Sequence, residues 1–125
     1  MSLSGHDLEG AWRLESWSFE YDDGRPSEYP LGREARGLLI YQPGGALSAT
    51  LMSTTPPAGS LAYAGAWSLR DGAVHHAIEV SSDPALVGRT TRREVRLEGD
   101  RLILTGADFQ PGTGRRQKIV WQRRR

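Results

Sequence analysis

The sequence predicts an all-β fold: a single antiparallel β-barrel of about eight strands, without a long helix. Apolar and polar residues alternate with a period of two along short segments, which is typical of half-buried strands. Turn signals separate these segments at nearly regular intervals, and one of them, Asp71-Gly72, is typical of a two-residue hairpin. A meander of this many strands favours a closed barrel, because closure removes exposed strand edges.

The predicted strands follow one another along most of the chain. Ser4 or Asp7 can cap one short helical turn before Gly10. The strands are expected at residues 11–21, 37–42, 46–53, 61–70, 74–81, 90–97, 101–106 and 117–123. Residues 54–60 are expected to form a loop, because Pro56-Pro57 cannot join a ladder of hydrogen bonds. A second loop is expected at residues 108–114.

Size and composition restrict the class of protein. The 125 residues fit one domain covering residues 1–125, and 38% apolar with 25% charged residues is typical of a soluble globular protein. No apolar run is long enough to span a membrane, and residues 1–15 lack the apolar region of a secretory signal, so we expect a cytoplasmic protein. Because there is no cysteine, disulfides, thiol catalysis and cysteine-ligated metals are excluded.

Charge argues against nucleic acid as the partner. The net charge is +1, whereas dedicated nucleic-acid domains usually carry a larger basic excess with aromatic residues between the basic ones. The basic residues within 115–118 and 123–125 are interpreted as solvated strand edges and a tail. We expect a small-molecule ligand, neither nucleic acid nor membrane as partner, and no cofactor; a homodimer is left open.

Two ionisable residues, His76 and Arg93, stand on strand faces that are otherwise largely apolar. Their face neighbours are Val74, Ile78 and Val80 for His76, and Thr91, Val95 and Leu97 for Arg93. A polar group on a buried face costs free energy unless it finds a partner, so these two positions are the candidates for function. An error of one residue in the assignment would turn Arg92 inward instead of Arg93.

Each of the two candidates has a structural and a functional interpretation. His76 is either a core histidine bonded to a tyrosine or a backbone carbonyl, or a ligand contact or general base. His75 is expected on the solvated outer face, so the adjacent pair is a poor metal site, and no metal is predicted. Three acceptors are available to Arg93: Glu15 if the first strand bulges, the hydroxyl of Tyr41 or Tyr63, or an anionic ligand.

A binding site follows from these assignments. The interior of an eight-stranded barrel is either filled by side chains or holds one small ligand. Aromatic and aliphatic residues on the inward faces would supply contact area around the polar patch of His76 and Arg93. The predicted ligand-binding residues are His76, Arg93, Tyr63, Trp67, Tyr41, Ile78 and Val95, and His76 is also the candidate catalytic residue.

Short motifs along nearly the whole chain resemble the lipocalin-like domain proteins of bacteria and fungi, which are relatives of the lipocalins. The motifs are Gly10-Ala11-Trp12-Arg13-Leu14, Gly37-Leu38-Leu39-Ile40-Tyr41, Tyr63-Ala64-Gly65, Val74-His75-His76, Pro84-Ala85-Leu86-Val87-Gly88 with Arg93, Gly99-Asp100-Arg101-Leu102 and Val120-Trp121-Gln122-Arg123. The resemblance implies a β-barrel with a ligand-sized interior. It implies no reaction, because related barrels divide between carriers and a few natural-product cyclases.

Particular residues agree with the family pattern or depart from it. Trp12 with Arg123 resembles the lipocalin closure pair, in which an arginine of the last strand covers a tryptophan at the closed end of the barrel. The resemblance implies a structural role for this pair. The family often has a second histidine where this chain has Ala77, a tyrosine at Trp67 and an aromatic residue at Leu86.

Three functional hypotheses remain open at this point. The first is a binding protein for a small, mainly apolar molecule whose carboxylate or enolate is directed at Arg93. The second is a cyclase or isomerase of a polyketide- or terpenoid-like intermediate, in which His76 moves a proton and Arg93 stabilises negative charge. The third is an interaction module with a filled barrel. Whether the barrel is hollow decides between the third hypothesis and the others.

Overall fold

The computed structural model describes residues 3–56, 59–107 and 112–124, and within them eight antiparallel strands form one closed barrel. The strands are β1 (Gly10–Tyr21), β2 (Arg36–Tyr41), β3 (Ala46–Met52), β4 (Ser60–Arg70), β5 (Ala73–Ser81), β6 (Thr90–Glu98), β7 (Arg101–Ala107) and β8 (Arg115–Arg123). Each strand pairs with the next along the chain, and β1 pairs with β8 to close the barrel. The predicted all-β barrel of about eight strands is confirmed.

Helical structure is limited to two short segments among the described residues. The helix α1 (Gly5–Leu8) precedes β1 with Ser4 as its N-cap, and the carboxylate of Asp7 accepts a hydrogen bond of 2.8 Å from the Ser4 backbone N–H. A 3-10 turn, Pro84–Leu86, lies between β5 and β6. In the part of the chain that the structure describes, no helix has the length and apolar character needed to cross a membrane.

The predicted strand bounds agree with the observed ones to within two residues. Ser60 was expected in a loop but begins β4, where it pairs with Met52. Part of the loop expected at 108–114 lies outside the described residues. The Asp71-Gly72 turn has φ angles of 53° and 75°, so both residues are left-handed, as the hairpin signal predicts.

A β-bulge in β1 changes which of its residues face the interior. The pairing of β1 with β8 shifts between Leu14 and Ser16, which leaves Glu15 as the extra residue. Leu14 is buried before the bulge, whereas Trp17 and Phe19 contribute to the interior wall after it. An extra residue changes the parity of the alternation, so two large aromatic side chains reach the interior of the open half of the barrel.

A second bulge lies in β5 and corrects one predicted face. Opposite β4, the pairing moves from Ala64 with Val80 to Gly65 with Ile78, so Glu79 is the extra residue. Val80 was expected to face inward with His76, but it is 61% exposed. The alternation that places His76 and Ile78 inward therefore ends at Ile78.

The two ends of the barrel are built differently. Because the strands run up and down, the loops β1–β2, β3–β4, β5–β6 and β7–β8 lie at one end, which we call the open end. The helix α1 and the turns β2–β3, β4–β5 and β6–β7 lie at the other end, which we call the closed end. A cavity can therefore open to solvent at this end, next to the described β5–β6 loop.

The closed end is stabilised by side chains that donate hydrogen bonds to backbone carbonyl oxygens. The guanidinium carbon of Arg123 lies 4.1 Å from the centre of the fully buried Trp12 ring. Arg123 donates hydrogen bonds to the carbonyl oxygens of Glu9 (3.1 Å) and Asp7 (2.6 Å), and the Trp12 indole N–H donates to that of Leu8 (2.9 Å). These bonds satisfy carbonyls at the end of α1 that have no partner within so short a helix.

We predict that Trp12→Ala lowers the free energy of unfolding by about 3–5 kcal/mol, because it removes a fully buried ring and leaves a cavity. Arg123→Ala should cost less, because the arginine is partly exposed. Urea denaturation measures both, with Arg124→Ala at the exposed neighbouring position as the control for Arg123. A Trp12→Ala protein that unfolds at the same urea concentration as the parent would contradict the structural role of this pair.

Candidate ligand-binding site

The barrel contains a cavity of about 440 Å³ that extends toward the open end. Its apolar wall includes Trp17, Leu39, Leu51, Ile78, Leu104 and Trp121, and its polar wall includes Tyr63, His76, Thr91, Arg93 and Gln117. Residues of the β5–β6 loop, among them Leu86 and Arg89, lie at its mouth. A cavity of this volume is in the range that holds small organic ligands, which is roughly 300–1,000 Å³.

His76 lies at the wall of this cavity, 2% exposed, between two tyrosine hydroxyls. Its Nε2 is 2.6 Å from the hydroxyl of Tyr41, and its Nδ1 is 2.9 Å from the hydroxyl of Tyr63. Tyr41 ends β2 and Tyr63 is in β4, so three strands supply this row of groups. The interpretation of His76 as a core histidine bonded to a tyrosine therefore has a geometric basis.

Burial decides the protonation of these three groups. Burial, with smaller contributions from the charge of Arg93 and from the neighbouring His75, lowers the pKa of His76 from 6.5 to about 3. Burial raises the pKa of Tyr63 to about 12, against a smaller lowering by Arg93. Burial also raises the pKa of Tyr41 well above its usual value of 10.0. At neutral pH the imidazole is therefore uncharged and both phenols keep their protons.

Arg93 faces the interior and is 7% exposed, whereas Arg92 is exposed on the outer face. The question of which arginine turns inward is thus answered in favour of Arg93. Its side chain runs over Gly106 of β7: a Cβ at that position would lie 2.8 Å from Arg93 Cδ and 2.9 Å from Arg93 Nη1. The absence of a side chain at Gly106 therefore makes the room for the guanidinium group.

One of the three predicted acceptors for Arg93 is wrong. The bulge that was the condition for Glu15 does occur in β1, but Glu15 is exposed on the outer wall, 3.3 Å from Arg101. Arg93 instead interacts electrostatically with Tyr63 and Tyr41, and burial lowers its pKa. A guanidinium group keeps its proton even so, because its unperturbed pKa is far above neutral pH.

The described part of the cavity wall carries more positive than negative charge. Arg93 lies inside, and Arg89 and Arg115 lie at the mouth, where the guanidinium carbon of Arg115 is 3.9 Å from the centre of the Phe19 ring. The carboxylate in the described wall is Asp83, which accepts a hydrogen bond of 3.0 Å from the Ala85 backbone N–H and so caps the 3-10 turn. A negatively charged ligand is favoured by this distribution.

Four of the seven residues predicted to bind a ligand line the cavity: His76, Arg93, Tyr63 and Ile78. Their contact with a ligand stays a prediction.

The other three, Tyr41, Trp67 and Val95, lie outside the described cavity wall. Tyr41 lies behind His76, and its ring centre is 4.8 Å from that of Trp67. The Trp67 indole N–H donates to the Gln42 carbonyl (2.9 Å), toward the closed end. Val95 packs against the hydrophobic core. A ligand confined to the cavity would therefore depend on these three indirectly.

Several wall residues were not predicted as ligand contacts. Trp17, which is not among the predicted ligand-binding residues, reaches the cavity because of the β1 bulge, and its indole N–H donates to Gln117 Oε1 (3.2 Å). Trp121 lines the wall, and among the described residues its buried indole N–H has no hydrogen-bond partner. The alternation of side chains along β8 places Gln117 and Trp121 on one face, and this pattern could have identified these two residues as part of the wall.

His75 differs from its predicted environment. It lies opposite Ser68 and Arg92 in the neighbouring strands, on the outer wall as expected. However, the residue is only partly exposed, and its Nδ1 is buried without a hydrogen-bond partner in the described part of the chain. Within residues 3–56, 59–107 and 112–124, no three His, Asp or Glu side chains are grouped so that they could hold a metal ion.

We predict that His76 makes the protein less stable as the pH falls below 6.5. The unfolded chain then takes up a proton at this position, whereas the folded protein does so only near pH 3, so this contribution to stability falls between the two values. Between pH 6.5 and pH 5, the loss from His76 alone should be about 2 kcal/mol.

Chemical denaturation at several pH values measures this loss. His76→Gln should show a smaller decrease in unfolding free energy than the parent over this interval. If the His76→Gln protein and the parent lose the same free energy over this interval, the histidine is not buried in its neutral form.

Comparison with known proteins supports the same architecture. A model of the lipocalin-like domain family matches residues 9–61 and 58–125 of this chain. No curated protein matches the chain significantly.

Three solved structures share the fold. A lipocalin-like protein from Bacteroides uniformis is 20% identical, with a TM-score of 0.57 over 94% of this chain and 99% of that one. An uncharacterized protein from Bacteroides eggerthii is 14% identical, with a TM-score of 0.52 over 93% and 98%. A de novo designed fluorescence-activating β-barrel is 16% identical, with a TM-score of 0.53 over 99% and 100%. At these identities the likeness concerns the fold alone.

Proposed function

We propose, since this chain belongs to the lipocalin-like domain family, that it is a binding protein whose barrel holds a small, mainly apolar molecule with an anionic group. The observation that carries this proposal is the cavity of about 440 Å³, in which the buried guanidinium group of Arg93 stands among apolar and aromatic side chains. A cavity of this kind does not agree with an interior filled by the described side chains, so the interaction-module hypothesis is not retained.

The apolar wall supports binding through the hydrophobic effect. A ligand that covers Trp17, Leu51 and Ile78 would remove both its own apolar surface and theirs from water. Each Å² of apolar surface removed from water contributes roughly 25 cal/mol. The large, flat rings of Trp17 and Trp121 suit an aromatic or polycyclic skeleton, because aromatic pairs gain additional energy from stacked or edge contacts.

The anionic group is supported by charge. Arg93 keeps its positive charge although it is largely buried in the protein, and electrostatic attraction is stronger in such surroundings than in bulk water. Arg89 and Arg115 at the mouth would raise the local concentration of anions and guide them inward.

The state of His76 favours binding over the cyclase or isomerase hypothesis. Both ring nitrogens already face a tyrosine hydroxyl, and a pKa of about 3 makes the imidazole a weak base at neutral pH. General bases work best when their pKa lies near the operating pH. A proton-transfer role for His76 would therefore need a large change of its surroundings.

A cytoplasmic location and a homodimer stay predictions.

We predict that the protein binds 2-naphthoate more tightly than 2-isopropylnaphthalene, which has a similar shape and no charge. Arg93→Met should weaken 2-naphthoate by about tenfold or more, because it removes a charged hydrogen bond, while the neutral compound changes little. Tryptophan fluorescence reports both, since Trp17 and Trp121 line the cavity.

Arg92→Met, one residue away on the outer wall, is the matched control and should bind both compounds like the parent. Equal affinities of the parent for the charged and the neutral compound would contradict an anion-binding interior. Failure of both compounds to bind would contradict a binding function for ligands of this class.

A further inference from the structure

The side chains of Tyr41, His76 and Tyr63 form a row with one more hydrogen-bond donor than the hydrogen bonds within the row require. A neutral imidazole has one N–H donor and one bare nitrogen acceptor, and each phenol carries one proton. Because the imidazole stands between two hydroxyls, one hydroxyl must donate to it and the other must accept from it. The accepting hydroxyl then has its own proton left for another partner.

Two arrangements are consistent with the distances. In the first, Tyr41 donates to Nε2, and Nδ1–H donates to Tyr63, whose proton is free. In the second, Tyr63 donates to Nδ1, and Nε2–H donates to Tyr41, whose proton is free. Hydrogen positions are assigned from the network of possible partners, so the surroundings of the two hydroxyls decide between the arrangements.

The surroundings favour the first arrangement. Tyr41 is fully buried and does not line the cavity, and His76 is the partner that the described residues offer its hydroxyl. A free Tyr41 proton would therefore be a buried donor without an acceptor, which is costly. Tyr63 does line the cavity, so its free proton can be directed at a ligand.

We propose that Tyr41 and His76 hold Tyr63 as a hydrogen-bond donor to the ligand, next to Arg93. This deepens the proposed function and rests on it: the ligand class is a weak organic acid, bound through an ionised oxygen as a carboxylate, phenolate or enolate. Tyr41 is a positioning residue, because it acts through His76 without reaching the cavity.

The two polar groups select this chemistry together. Arg93 has only donors, and Tyr63 in the first arrangement has its O–H proton free for a ligand, because its oxygen accepts from His76 Nδ1–H. An ionised oxygen accepts from both, and hydrogen bonds to a charged acceptor are stronger than those to a neutral one. Since burial holds the Tyr63 proton in place at neutral pH, the donor does not ionise beside the anion.

The first experiment needs no ligand. Nitrogen-15 NMR of the histidine-labelled protein distinguishes a proton on Nδ1 from one on Nε2, and His76→Gln identifies the signal. We expect the Nδ1–H form in the unchanged protein. In Tyr41→Phe no hydroxyl donates to Nε2, so the preference for a proton on Nδ1 is lost, and we expect a mixture of both forms. An Nε2–H form in the unchanged protein overturns the proposal.

The second experiment measures affinity for 2-naphthoate and for 2-isopropylnaphthalene. Tyr63→Phe should weaken 2-naphthoate by about tenfold, and Tyr41→Phe by a smaller factor of about two to five, while the neutral compound keeps its affinity. Trp67→Phe is the matched control for Tyr41→Phe, because Trp67 packs on the Tyr41 ring without bonding to His76. This control should leave the ratio of the two affinities unchanged.

The outcomes separate this inference from the proposed function. If Tyr63→Phe weakens both compounds equally, Tyr63 is a packing residue; the inference is overturned, while the proposed function stands. If neither compound binds the unchanged protein, the proposed function fails and the role of Tyr63 toward a ligand fails with it. The NMR result does not depend on either compound, so it still tests the arrangement of the three side chains.

Discussion

The burial of polar groups inside an apolar barrel is the constraint on which the rest of this structure depends. His76 and Arg93 are almost fully buried, and a buried polar group is tolerated only when it has partners. Among the described residues, the hydroxyls of Tyr41 and Tyr63 hold the imidazole, and both tyrosines interact electrostatically with Arg93. Neither phenol carries a charge at neutral pH, so the guanidinium group of Arg93 is the charged group among these four side chains.

The alternation of residues was sufficient to predict the barrel and the inward direction of His76 and Arg93. Strand periodicity depends on local geometry, and the hairpin signal at Asp71-Gly72 depends on two backbone angles, so a single sequence carries both. The positions of Trp17 and Val80 were not predictable in this way. Each follows a bulge, where one extra residue changes the parity, and the cause of a bulge lies in the pairing with the neighbouring strand.

The partners of the two central residues depended on tertiary structure as well. Tyr41 and His76 are 35 positions apart, and Gly106 makes room for an arginine on another strand. A glycine in a strand indicates that another group comes close to the backbone there, but the sequence does not show which group it is. The sequence named Tyr41 and Tyr63 as acceptors for Arg93, whereas in the structure the hydroxyls of both lie within hydrogen-bond distance of His76. The sequence therefore identified these residues of the site, but the structure was needed to show which of them contact one another.

The protonation states of the site stay the same over a wide range of pH. Between the pKa of His76, about 3, and that of Tyr63, about 12, neither group changes its charge, and Arg93 stays protonated. The electrostatic potential that a ligand meets from these groups is therefore nearly constant over the physiological range of pH. Under the proposed function, these three groups would add no pH dependence to binding in that range, whereas the ionisation of a weakly acidic ligand would.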